Sequence, residues 1–98
     1  MGEPFHDNMA IRAKADQARI DFIKLDLDLC LTLADVADTA IGMHHLDHAE
    51  RAISKAEKGY SDLLQLFSHA SGMTEDVQKE LRSKFTHLRE RLDELRHQ

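Results

Sequence analysis

Residues 20–33 read Ile20-Asp21-Phe22-Ile23-Lys24-Leu25-Asp26-Leu27-Asp28-Leu29-Cys30-Leu31-Thr32-Leu33, and the fold turns on them. Leu25, Leu27, Leu29, Leu31 and Leu33 alternate with other residues, which is the period of a half-buried strand. The same stretch also satisfies a helix. Phe22, Leu25, Leu29, Leu33, Val36 and Ala40 recur at intervals of three and four, and Ile20, Ile23, Leu27, Leu31 and Ala34 form a second stripe of that kind. Leu and Ala favour helix, β-branched residues are sparse here, and no other segment reads as a strand to pair with. The stretch therefore predicts a helix.

At ~100° per residue the two stripes fall on nearly opposite sides and spread apolar residues over roughly 240°. An ordinary surface helix shows an apolar arc of ~100° or somewhat more. The remaining arc holds Asp21, Lys24, Asp28, Thr32, Asp35 and Thr39. No Gly or Pro occurs from Asn8 to Ile41, so the helix is expected over 8–41, about 50 Å at ~1.5 Å per residue. Residues 1–7, with Gly2 and Pro4, are expected to be a loose arm, and Asp7 or Asn8 the helix cap. One stripe packs on the rest of the chain and the other needs a partner. Ile20, Ile23, Leu27, Leu31 and Ala34 are the expected uncovered stripe, and two-fold pairing with a second copy is the commonest way to cover it. Asp26 falls in the apolar arc beside Leu29, Cys30 and Leu33, so if buried it needs a partner, such as an Arg across the interface, or a raised pKa; otherwise the arc is not fully buried there and Asp26 reaches water.

Gly42 interrupts the pattern, as a residue just past a helix end does. The second helix is expected over 47–70. Asp47 and Glu50 resemble a capping box, and Leu46, Ala49, Ile53, Ala56, Tyr60, Leu63, Leu64 and Phe67 make one apolar face. Ser71-Gly72 stops it. The third helix, 74–96, starts at a Thr74 cap with Glu75 and Asp76 in its first turn, where the helix dipole favours anions. Val77, Leu81, Phe85, Leu88, Leu92 and Leu95 form a narrow seam. Leu63, Phe67, Leu81, Phe85 and Leu88 are expected to meet across this hairpin and to dominate stability. The expected fold is an all-α antiparallel three-helix bundle with a long first helix, completed by dimerisation, in one domain over 8–98.

Composition narrows the function. The chain has 98 residues, with 18 acids against 13 Lys and Arg and a net charge of −5. The excess lies in residues 1–48, which hold nine acids and four bases. No Lys/Arg stripe is interleaved with aromatics, so nucleic acid is not an expected partner. No apolar run approaches the ~20 residues of a membrane span. The single Cys30 gives no disulfide framework and suits a reducing, cytoplasmic setting.

Chemistry-bearing patterns are few. In His44-His45-Leu46-Asp47-His48, His44 and His48 are four apart and would share a metal on a helix. The Glu that a helical zinc-protease motif needs after its first His is replaced by His45. A turn is expected here, so His44, His45 and His48 are low-ranking metal candidates and no cofactor is expected. Cys30, between acidic and apolar neighbours, reads as a buried structural residue. No Gly-x-Ser-x-Gly, phosphate-binding Gly loop or Glu-x-x-His occurs, so no enzyme is expected.

Val36-Ala37, Ala40, Ala49, Ile53 and Ala56 resemble the small-and-large spacing of a tetratricopeptide helix pair, with Ala40 where that family's first helix has an aromatic. That likeness implies close helix pairing and peptide-binding grooves. Residues 33–95 are similar in layout to the microtubule-interacting and transport domain, and Arg91, Asp93 and Leu95 resemble its last-helix pattern, with Leu92 in place of Ala. The expected role is a non-enzymatic interaction module that self-associates, as a homodimer, or binds a partner helix. The alternative is a small metal- or ligand-binding helical protein using the histidine cluster.

Overall fold

The structure, a computed structural model, describes the backbone of residues 4–97 and the side chains of residues 11–97. It contains three helices, α1 (Pro4–Gly42), α2 (Leu46–His69) and α3 (Glu75–Arg96), and no strand among the described residues. The alternating leucines are thus helical, and the all-α three-helix fold holds. The bundle is elongated, 65 × 23 × 16 Å. Helix α1 starts at Pro4, earlier than Asn8, because proline is pre-organised for a first helical position. Of the expected arm, residues 1–3 lie outside the described residues.

The end of α1 differs in mechanism from the expected glycine stop. Gly42 is still helical, and His44 takes the left-handed conformation at φ 61°. The His45 N–H donates to the Ala40 carbonyl at 2.8 Å and the His44 N–H to the Ile41 carbonyl at 3.0 Å. This pair of bonds is a Schellman motif with histidine in the usual glycine place. Helix α2 then begins without a side-chain cap, since His45 occupies that position. Asp47 lies inside the first turn, so the expected capping box does not form. Helix α3 does start as read, with the Val77 N–H donating to Thr74 Oγ1 at 3.3 Å.

The core joins Ile23, Leu27, Ala34 and Ala37 of α1 to Ala52, Ala56 and Leu63 of α2 and to Leu81, Leu88 and Leu92 of α3. Packing of α1 on α2 is the most extensive and that of α2 on α3 the least. The second hairpin, expected to dominate stability, is thus the smallest of the helix contacts. Leu63, Leu81, Phe85 and Leu88 are buried, and Phe67 and Tyr60 flank Phe85 with ring centroids 5.4 and 5.8 Å away. Yet α1 is the wall both helices share. Small residues explain its closeness to α2. A Cβ on Gly59 would sit 2.6 Å from Cys30 Sγ. Ion pairs border the interfaces, with Lys84–Asp28 and Arg91–Asp35 at 3.0 Å between α3 and α1. Arg96–Glu57 at 2.9 Å and Arg89–Glu57 at 3.3 Å join α3 to α2.

Candidate docking face on the first helix

Of the two apolar stripes on α1, the structure turns in the one expected to stay open. Ile20, Ile23, Leu27 and Ala34 are buried within the chain, and Leu31 is half-buried against the core. They are not a free interface, and that assignment is corrected. The other stripe is left outside at Phe22, Leu25, Leu29 and Val36, while its Leu33 is half-buried and its Ala40 turns in. Phe22 is 50% exposed, Leu25 73%, Leu29 56% and Val36 38%. Ile11 and Met43, also exposed, extend the row at both ends.

The reason for the inversion lies in side-chain size. The inward side of α1 carries Cys30, Ala34, Ala37 and Ala40, and the facing side of α2 carries Ala49, Ala52, Ala56 and Gly59. Small residues on both helices let the axes close up and bury the larger side chains between them. The Phe22–Leu29 row has no such run of small residues beside it. The small residues stand in the sequence, but only the pairing of α1 with α2 gives them this effect.

The outer face has a structured border. Leu33 and Val36 share a shallow groove with His48, Arg51, Ala52 and Lys55 of α2. Nearer the turn, Val36, Ala40 and Met43 line a second open groove with Asp35, His45 and His48. Leu66 stands eleven residues past Lys55, within about 20° of it on the helical wheel, and is exposed on the same edge of α2. Asp26 is half-buried at the margin of this face, not buried in an apolar arc. No ion pair or hydrogen bond reaches its side chain among the described residues.

The histidines are not brought together as ligands. His44 is in the turn, His45 precedes α2 and His48 lies in its first turn, so the two histidines four apart do not share a helix. Among the described residues no group of three His, Cys, Asp or Glu side chains is placed to hold a metal. Cys30 is buried as expected, and burial, with a second contribution from the Asp26 carboxylate, pushes its thiol up. That is the opposite of what a nucleophile needs. Leu46, assigned by its spacing to the apolar face of α2, is exposed beside the turn. No described helix is long and apolar enough to cross a membrane.

Compared with known proteins, the chain matches no family model, no curated protein and no solved structure. The functional reading rests on the geometry.

Proposed function

We propose that the chain is a non-enzymatic assembly module that docks a helix on the outer face of α1. One observation carries this reading. A folded bundle with a well-buried core leaves Phe22, Leu25 and Leu29 in an exposed row on the helix at its centre. Contiguous apolar surface of this kind marks an interaction site, whereas singly scattered apolar residues need no explanation. Helix-in-groove recognition uses anchors at this spacing. The lone, buried Cys30 suits a reducing compartment such as the cytoplasm.

The test pairs two substitutions on the exposed row, Leu25→Glu with Leu29→Glu. Both sites face away from the core, so the circular dichroism spectrum should stay helical. Solution mass and binding of a synthetic amphipathic peptide with leucine heptads are then measured for parent and variant. Loss of self-association or of peptide binding in the variant is expected. If both measurements are the same in parent and variant, the docking face is wrong.

A further inference from the structure

We propose that the helix docked on this face is the α1 of a second copy of the chain, running parallel to the first about a two-fold axis along the seam. This rests on the reading that the outer face docks a helix. The exposed row keeps a seven-residue frame that is apolar except at Thr32 and Thr39. Phe22, Leu29, Val36 and Met43 occupy one position, and Ile11, Ala18, Leu25, Thr32 and Thr39 the position four residues before each next one. From Ile11 to Met43 this seam runs about 48 Å at ~1.5 Å per residue. A constant seven-residue repeat is what a two-helix supercoil reads. The row's members Ile11, Phe22, Leu25, Leu29, Val36 and Met43 are each 38–73% exposed.

The charges beside the seam decide both occupant and direction. One flank carries Asp21, Asp28 and Asp35, seven residues apart. The other flank is bordered by the α2 edge with His48, Arg51 and Lys55. The first flank, its Asp28 and Asp35 partly neutralised by Lys84 and Arg91 of α3, is still the more acidic, and the second, with Asp26 as well as Arg51 and Lys55, the more basic. An antiparallel two-fold pair brings like flanks together, and centred at Asp28 it sets all three aspartates against aspartates. A parallel two-fold pair brings unlike flanks together, so the face is its own complement.

In parallel coiled-coil geometry a flanking residue faces the partner about five positions further along. Asp28 then looks to the level of Leu33, where Lys55 lines the same groove. Asp35 looks to the level of Ala40, where His48 lines the groove and Arg51 is one turn away. Although bonded to Lys84 and Arg91, the Asp28 and Asp35 side chains remain 58% and 74% exposed, so each carboxylate can accept a second cation. The unfavourable meeting is Asp21 with Asp26 of the second copy.

Single cysteines test the arrangement. In a Cys30→Ala background, Phe22→Cys, Leu29→Cys and Val36→Cys are made separately and exposed to a mild oxidant. A parallel pair places each position against itself, so all three variants should give disulfide-linked dimers. Cross-linking at only one of the three means an antiparallel pair and overturns the inference while leaving the docking face intact. A parent that sediments as a monomer at high micromolar concentration also overturns it, and the peptide measurement above then decides the docking face separately. Asp26→Lys should tighten the dimer several-fold by removing the repulsion from Asp21. A weakening would contradict the parallel arrangement.

Discussion

Gly59 and Cys30 set how closely α1 and α2 approach. A methyl added at Gly59 has no room, because Cys30 Sγ would lie 2.6 Å away. Gly59→Ala should cost about 1–3 kcal/mol, as overpacking does. Adding Cys30→Ala should return much of that loss, and urea unfolding of the four chains in the cycle measures the coupling. His44 offers the reverse opportunity. A residue with a Cβ in the left-handed region carries a penalty that glycine lacks, and His44 makes no side-chain hydrogen bond among the described residues. His44→Gly should raise stability by about 1 kcal/mol, read as a higher melting temperature. Burial of Cys30 was legible from its apolar and acidic neighbours. The left-handed His44 was not, because Gly42 two residues earlier is the more obvious stop and the chain passes over it.

Within α1, packing distinguishes residues that composition does not. Leu27 is fully buried and Leu25 is 73% exposed, although both sit in the same alternating run. Leu27→Ala should cost about 2–5 kcal/mol. Leu25→Ala should fall within about 0.5 kcal/mol of the parent in a dilute, dissociated sample. Denaturant melts at low micromolar concentration make the comparison. Helix type, number and approximate bounds were readable from periodicity, Thr74 and the Ser71-Gly72 break. Two opposed apolar stripes gave no preference for which turns inward. That choice follows from small residues on two helices distant in sequence, so it is a property of the pair and not of α1 alone. The stripe expected to stay open is therefore the buried side of α1, and the exposed row lies on the opposite side.

For the whole bundle, the α2–α3 boundary carries a pH-sensitive knot. Hydrogen bonds from Arg96 hold the Glu57 carboxyl below the usual carboxylate range, with Arg89 acting in the same direction and burial partly opposing them. Because the folded value is the lower one, Glu57 contributes stability above its unfolded value and loses it as pH falls through the folded value. Thermal melts should thus weaken on the acid side. Glu57→Gln should make that acid limb shallower while lowering the melting temperature at neutral pH.

The ion pairs between α1 and α3 carry a different consequence. Each is partly solvated, so each adds little to stability. Their spacing, however, is shared. Lys24 meets Glu80, Asp28 meets Lys84 and Asp35 meets Arg91, every partner standing 56 positions further along the chain. Slide α3 one helical turn in one direction and Lys24 faces Lys84, while Asp28 and Asp35 face Leu88 and Leu95. Slide it the other way and Asp28 faces Glu80. Leucine seams repeat and tolerate such slips with little loss of contact, but this charge sequence does not repeat. The pairs thus fix the longitudinal register of two helices that are parallel and far apart in sequence, and they select one alignment among several that the apolar core alone would leave close in energy.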